Sequence, residues 1–583
     1  MLKHYKEFLS KKTGRYLLGI FLLLLVDTIQ LYVPQVLRSY TDKLQAGTLA
    51  SPEIWQIAMV IGILAIIMAI LRYLWRIMIV FTALEFEIWT RKKLYNHWTT
   101  LPMEYFNEVK TGELMSYATN DINTIRRTFS GGIIMSVDAL FMTVTTIIVM
   151  GTTINWKLTF LAILPMPFIA YGVLRMGKLV HEKFRTVQEI FSQLSDKVQE
   201  SFSGISVIKA FSQEELDLED FDKINERNFL ENMALAKFQA RLFPSVRFLG
   251  RFSMIIGIIL GAKYVLSDTI TLGDYVAFIK YLEILVWPVM AIGMVTNLIQ
   301  RGLASMQRVN KVLDIDSSLE ETDNPKDPQG FALEVKDLSF KYPGVKENTL
   351  DNVSFSLPEG GSLGILGPTG SGKSTLVGLL LRLYNIPRKS VYLGLQDIND
   401  LSIEETRNLI AMVPQDNFLF STELKNNISL SDMVPDEEKI LRSAKDAQVH
   451  EEIMGFPRGY KTFLGEKGVN LSGGQKQRTS IARVLYKDAP IIILDDSLSA
   501  VDTKTEEAIL RKLRVELARH SSIIISHRIS TLQNLDEIIY LEEGRIVERG
   551  THEELLALRG RYYRVYEKQL LEDKIQGAGY EAI

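Results

Sequence analysis

The residues Gly367-Pro368-Thr369-Gly370-Ser371-Gly372-Lys373-Ser374-Thr375 have the spacing G-x-x-x-x-G-K-[ST]. This is the pattern of a phosphate-binding loop. Glycines let successive backbone N–H groups turn inward around phosphate oxygens, and the start of a helix adds positive potential. Lys373 is expected to reach the β- and γ-phosphates of a nucleoside triphosphate, and the Ser374 hydroxyl to ligate Mg2+. The context supports the pattern. The loop follows an apolar strand, Ser362-Leu363-Gly364-Ile365-Leu366, and opens an apolar helix from Leu376. A second run, Ile491-Ile492-Ile493-Leu494, ends in Asp495-Asp496. A buried strand that delivers an acid to its end is the Walker B arrangement, with Asp495 in the Mg2+ shell through a water. Two acids at a strand end would otherwise be a plain terminus; the loop upstream decides between the readings.

These residues need an α/β domain, and 583 residues are too many for one core. Hydrophobic residues make up 47% of the chain, and the mean hydropathy is +0.08. That average fits a membrane half joined to a soluble half. The net charge of −3 gives no basic bias toward nucleic acid, and the lack of cysteine excludes disulfides, thiolate metal sites and cysteine nucleophiles. Residues 1–312 read as an all-α membrane domain with six spans, at about 16–37, 54–80, 129–153, 157–176, 245–266 and 272–299. Each approaches or exceeds the ~20 residues that cross a ~30 Å hydrocarbon layer. Buried core helices, the bland alternative, are usually shorter.

Lys3, Lys6, Lys11, Lys12 and Arg15 precede the first span and predict a cytoplasmic N-terminus. The apolar run behind them is too long for a cleaved leader. The loops at 81–128 and 177–244 are long, polar and helix-forming, as if helices overshoot the bilayer into the cytosol. Leu101–Phe106 and Gly204–Phe211 are the expected tips that touch the soluble domain. Arg72, Arg76, Asp138, Arg247, Arg251, Lys280 and Glu283 fall in or near spans, where ionisable groups often line a pathway. Their bland reading is mutual neutralisation, as for Lys280 and Glu283 three residues apart, or a place in the cytoplasmic extensions. Pro288 is expected to kink the last span. Residues 313–330 read as a linker, 331–570 as the α/β domain and 571–583 as a tail.

Between the two nucleotide motifs stands Leu471-Ser472-Gly473-Gly474-Gln475, followed by Lys476-Gln477-Arg478. With this signature the chain resembles an ATP-binding cassette exporter half-transporter over essentially its whole length. The resemblance implies further roles. Tyr342 matches the aromatic that stacks on adenine. Gln415, in Val413-Pro414-Gln415-Asp416, matches the loop that couples nucleotide to the membrane domain and helps hold Mg2+. Gly465-Glu466-Lys467-Gly468 matches the segment before the signature. Ser499-Ala500-Val501-Asp502 matches the D-loop, and His527 the switch histidine. It also implies two cassettes packed head to tail. Each ATP then lies between one chain's phosphate loop and the other's signature.

One position departs from the family pattern. The residue after the Walker B aspartate is normally a glutamate that polarises the attacking water; here it is Asp496. The shorter side chain predicts a site that binds ATP well and hydrolyses it poorly. With an intact signature beside it, the chain resembles the C-type subunit of bacterial heterodimeric multidrug exporters. A homodimer with two slow sites is the plainer alternative. Aromatics and methionines in the spans, among them Tyr73, Trp75, Phe141, Met142, Phe168, Phe252, Met254, Trp287 and Met290, suit a promiscuous apolar cargo but equally suit lipid contact.

The expected partners are therefore a second half-transporter, membrane lipid and amphipathic small molecules, at the plasma membrane. A lipid or peptide exporter is the alternative, and self-processing of a peptide cargo is disfavoured because no peptidase domain stands ahead of the first span. A soluble cassette ATPase on DNA or ribosomes is opposed by the six spans. A non-transporting sensor is opposed by the intact signature.

Overall fold

The apolar runs of the first half form long helices, bounded where the sequence supplies caps. The computed structural model describes residues 3–316, 319–465, 468, 470–497 and 519–580. The main helices of this half are α1 (Lys6–Gln45), α2 (Ser51–Arg76), α3 (Ile133–Met150), α4 (Met166–Ser203), α5 (Glu214–Leu266) and α6 (Leu272–Leu313). Pro52 lies in the first turn of α2, where its missing N–H costs nothing. Thr271 and Asp274 form a reciprocal capping box at the start of α6. Asn155 caps the short helix Trp156–Ile163 by accepting from Lys157 N at 3.0 Å and Leu158 N at 3.1 Å. Pro34, Pro244 and Pro288 lie inside continuous helices.

Four helical stretches among the described residues are long and apolar enough to cross a membrane: Lys3–Gln45, Pro52–Trp98, Thr111–Ile163 and Leu272–Leu313. The apolar stretch 157–176 is divided at Leu164-Pro165 between the short helix and α4, and 245–266 forms the end of α5. The chain separates into two compact units. The first holds Met1–Thr99 and Thr111–Ile315; the second holds Thr100–Lys110 and Asp316–Ile583.

The first unit has a side-to-side core and polar ties at its helix ends. Tyr281 is fully buried, donates to Leu31 O at 2.9 Å and accepts from Gln35 Nε2 at 2.9 Å. Asp42 accepts from Gly273 N at 2.8 Å and Thr271 Oγ1 at 3.1 Å, while Arg38 pairs with Asp274 at 2.7 Å. A side chain at position 273 would overlap the Arg38 carbonyl, so the close approach of α1 and α6 needs glycine there. Asp121 accepts from Arg308 Nε at 3.1 Å. Lys280 and Glu283 do pair, at 2.9 Å, as their spacing predicts. Arg72 donates to Gln30 Oε1 at 3.0 Å. The side chain of Arg247 lies outside the described residues.

The second unit contains two sheets. Strands β1 (Leu333–Phe340), β2 (Leu350–Leu357), β4 (Val391–Leu393) and β5 (Gln396–Asp397) form an antiparallel sheet in the order β2-β1-β4-β5. The larger sheet has the order β10-β9-β3-β8-β7-β6, from β3 (Ser362–Leu366), β6 (Ile410–Val413), β7 (Ile491–Asp495), β8 (Ser521–Ile525), β9 (Glu537–Glu542) and β10 (Arg545–Gly550). All its pairings are parallel except β9 with β10. Every residue of β7 and β8 is buried, as strands covered on both faces require. That is why Ile491–Leu494 reads as an unbroken apolar run rather than an alternation.

Candidate nucleotide site

Parallel register brings distant motifs to one edge of the sheet. Ile365 of β3 and Asp495 of β7 both stand opposite Ile525 of β8, and Val413 of β6 stands opposite Leu494. The segments after these strands therefore leave from the same end: the glycine loop, Asp496, His527 and Gln415. The carboxyl end of a parallel sheet is where such folds bind ligands.

The loop is built to curl tightly. Gly370 and Gly372 have φ of +83° and +100°, in the left-handed region. A Cβ on Gly372 would lie 2.7 Å from Leu350 Cδ2 and 2.9 Å from Thr349 O. Helix α7 (Lys373–Leu380) starts at once behind it, so the first turn's free N–H groups open into the curl. Gly367, Pro368 and Thr369 form the entry to the loop, and Ser371 N donates to Pro368 O at 3.3 Å. The Ser371 Oγ is buried with no hydrogen-bond partner. An orphaned hydroxyl inside a ring of backbone donors fits a loop shaped for phosphate oxygens.

Lys373 is 8% exposed and folds over the loop, donating to Gly367 O and Pro368 O at 2.8 Å each. Burial pushes its ammonium down, and the carboxylates of Asp495 and Asp496 oppose that. Ser374 Oγ donates to Asp495 Oδ2 at 3.2 Å. Burial pushes the Asp495 carboxyl up, with the Ser374 hydrogen bond working the other way. An acid and a hydroxyl in hydrogen-bond contact beside a phosphate loop are a suitable pair of oxygen donors for Mg2+. His527 is exposed, yet close enough to Asp495 to act on it electrostatically. Gln415 is exposed just beyond β6.

Asp496 takes φ of +46°. Its N–H donates to Ile525 O at 2.9 Å, and its carbonyl accepts from Gln477 Nε2 at 3.4 Å. The backbone is thus held from both sides at a left-handed residue, a conformation that aspartate tolerates better than most.

Tyr342 flanks the loop: its hydroxyl lies 3.0 Å from Thr375 Oγ1. Its ring meets Tyr384 edge-on at 5.3 Å. Tyr384 in turn accepts from Asn107 Nδ2 at 3.1 Å. Burial pushes the Tyr384 hydroxyl up. The sequence reading passed over Tyr384 and Asn107. Leu101–Phe106, expected as a contact tip, lies in the same unit as this site, with Leu101 and Pro102 buried there. Gly204–Phe211 lies in the first unit.

The signature opens helix α8 (Gly473–Lys487). Ser472 caps it: its hydroxyl accepts from Gln475 N, and Gln475 Oε1 accepts from Ser472 N at 3.0 Å. Leu471 is buried beneath, while Ser472 and Gly473 are exposed and Gly474 half-buried. Among the described residues, none of Leu471–Gln475 hydrogen-bonds to the phosphate loop. The glycine loop and the signature thus each stand at a helix start. Glu466, Lys467 and the stretch Ser499–Asp502, including Asp502, lie outside the described residues.

Comparison with known proteins agrees with this layout. Residues 16–289 match the model of the ABC transporter transmembrane region, and residues 350–499 the model described as ABC transporter. The chain is 36% identical over 572 residues, 98% of each chain, to the "Multidrug resistance-like ATP-binding protein MdlA" of Buchnera aphidicola subsp. Schizaphis graminum. It is 34% identical over 483 residues, 82% of this chain and 84% of the other, to the "ATP-dependent lipid A-core flippase" of Desulfotalea psychrophila. Its fold matches a solved bacterial Atm1-family ABC exporter with a TM-score of 0.79, at 23% identity, over 96% of this chain and 98% of that one.

Proposed function

Because the chain belongs to the ATP-binding cassette exporters, in which a membrane domain is fused to an ATPase that drives transport, we propose that it is one subunit of a heterodimeric pump that exports amphipathic compounds across the plasma membrane. The observation that carries the heterodimer is Asp496, standing where a glutamate would activate water, beside an intact signature. One ATP site would hold nucleotide on Lys373, Ser374 and Thr375, with Tyr342 against the base, and hydrolyse it slowly. The other would be formed by the partner's phosphate loop and this chain's Leu471–Gln475.

Mg2+, when bound, would neutralise phosphate charge beside Ser374, Gln415 and Asp495. Asp496 would orient water poorly, His527 would face the γ-phosphate, and Asp502 would reach across to the partner. ATP held between two cassettes stabilises their dimer, and its hydrolysis releases it; the membrane half follows as a population shift. Six spans, with the N-terminus and ATPase in the cytoplasm, complete the arrangement. The basic residues at 3–15 support that orientation.

The cargo class draws support from the multidrug-like relative. A lipid exporter, possibly homodimeric, is the second reading, favoured by the lipid A-core flippase relative. The test is ATPase activity of the purified chain, alone and with the product of a neighbouring exporter gene. Negligible activity alone, restored by the partner, supports the heterodimer. Robust activity alone that is lost on Lys373→Ala rejects it, and stimulation by lipid but not by drugs selects the second reading.

A further inference from the structure

The last helix, α9 (Arg561–Tyr580), packs on its unit through a stripe with the spacing i, i+3, i+4, i+7. Tyr562 is fully buried, and Val565 and Tyr566 are partly buried against the same core. Glu548 of β10 fixes the start of the helix, accepting from Tyr562 N at 2.9 Å. The fourth place on the stripe is Gln569. A polar amide at the end of a core-facing stripe is costly unless it is hydrogen-bonded, so its partners matter.

Both partners lie in the segment of the switch histidine. Gln569 Nε2 donates to His527 O at 2.6 Å, and Ile529 N donates to Gln569 Oε1 at 2.9 Å. The two bonds fix the orientation of the amide, because turning it over would set donor against donor and acceptor against acceptor. One side chain thus bridges the backbone on both sides of Arg528. A further bond lies within the turn: Arg528 N donates to Ser526 Oγ at 3.0 Å, and Ser526 is buried just beyond β8. Ile529 is buried and opens the short helix Ile529–Leu532.

His527 itself is exposed and acts electrostatically on Asp495 at the phosphate end of the sheet. The place of its backbone sets where its imidazole meets that end. The amide that holds this backbone comes from a helix 42 residues further along the chain, one with no nucleotide motif.

We propose that Gln569 is a positioning residue of the nucleotide site: from the C-terminal helix it holds the turn that presents His527, and so sets how well this site tells a triphosphate from a diphosphate. This rests on the reading of His527 as the group that faces the γ-phosphate. Without the amide, the His527 carbonyl and the Ile529 N–H lose these bonds, and the turn can carry the histidine away. The competing account is that Gln569 only docks the helix, which would affect both nucleotides alike.

The experiment is equilibrium binding of Mg2+ with the non-hydrolysable β,γ-imido-ATP, and of Mg2+ with ADP. The protein is the assembly identified by the ATPase measurement, with the partner's phosphate-loop lysine replaced if the partner is a different chain. His527→Ala should weaken binding of the imido-ATP about tenfold or more, the worth of one hydrogen bond to a charged group, and leave ADP within about twofold. Gln569→Ala and Gln569→Met should each weaken the imido-ATP about three- to tenfold and leave ADP within about twofold. Methionine keeps the volume on the stripe and removes both hydrogen bonds. Adding Gln569→Met to His527→Ala should cause no further loss, since its effect passes through the histidine. Gln569 variants that bind both nucleotides like wild type, beside a His527→Ala that is weakened, overturn the proposal and leave the reading of His527 standing. Equal weakening of both nucleotides by Gln569→Met, or a further loss on top of His527→Ala, also overturns it. A His527→Ala that binds imido-ATP like wild type refutes the reading of His527, and this proposal with it. Should Gln569→Ala bind neither nucleotide, Gln569→Met decides the matter.

Discussion

On the heterodimer proposed above, replacing Asp496 by glutamate should raise turnover at this chain's own ATP site about 100-fold. The reasoning starts from reach. Glutamate adds one C–C bond, about 1.5 Å. A misplacement of about 1 Å at a reacting group can cost about 100-fold in rate. A shifting backbone could absorb that shortfall, but here it is pinned. Asp496 N–H is bonded to Ile525 O at 2.9 Å and its carbonyl to Gln477 at 3.4 Å, so the carboxylate stays short by the full bond. A 100-fold gain corresponds to about 2.7 kcal/mol of activation free energy. The φ of +46° sets a cost on the other side. Glutamate is less at ease there than aspartate, by about 1 kcal/mol of folding stability. The assay is steady-state ATPase of the assembled pump with the partner's phosphate-loop lysine replaced, so that only this site turns over. ATP affinity should stay within about twofold, since the phosphates are held by other residues. A turnover equal to wild type would refute the argument and put the limiting defect in the partner's signature.

Other outcomes follow from the same geometry. Gly372→Ala should weaken ATP-analogue binding about 10- to 100-fold, because its Cβ would press on Leu350 and Thr349 at a φ costing a side chain about 1–3 kcal/mol; binding within twofold would show that the loop relaxes freely. Lys373→Ala should weaken it by a similar factor, through loss of charge-assisted hydrogen bonds worth about 1.5–3 kcal/mol, read by the same titration. Burial raises the Asp495 carboxyl, so the folded chain without nucleotide holds that proton more tightly than the unfolded chain does. Its stability contribution is present below the ordinary carboxylate range and is lost as pH rises through the raised value. Asp495→Asn should therefore unfold at a higher temperature than wild type at neutral pH, with the difference vanishing toward acid pH. Conversely, Mg2+-dependent ATP binding by wild type should fade on acidification sooner than an ordinary carboxylate would allow. Thr271→Ala should cost about 1 kcal/mol by removing the α6 cap, seen as a lower unfolding temperature in detergent.

The nucleotide motifs were legible in the sequence because their chemistry is local. A glycine loop between strand and helix is a contiguous pattern, and the apolar run before Asp495 announces a doubly covered strand. What joins residues across the chain was not. The register that sets Asp495 opposite Ile525 is a property of two strands together. Nothing near position 496 in the sequence marks its left-handed backbone, since the cause is a carbonyl in another strand. Tyr384 carries no motif, and its place beside Tyr342 comes from packing of the segment after α7 against Phe340 and Tyr342.

The membership of Thr100–Lys110 in the second unit has a practical consequence for rebuilding such pumps. The unit that holds the ATPase is not one continuous piece of chain: Asn107 is bonded to Tyr384 across 277 residues. A chimera cut only near Asp316 would join an ATPase from one relative to an 11-residue segment from another and lose that fit. Exchanging Thr100–Lys110 together with Asp316–Ile583 keeps the unit whole. Functional transplants should therefore need three crossovers in the gene rather than one: on either side of Thr100–Lys110 and before Asp316.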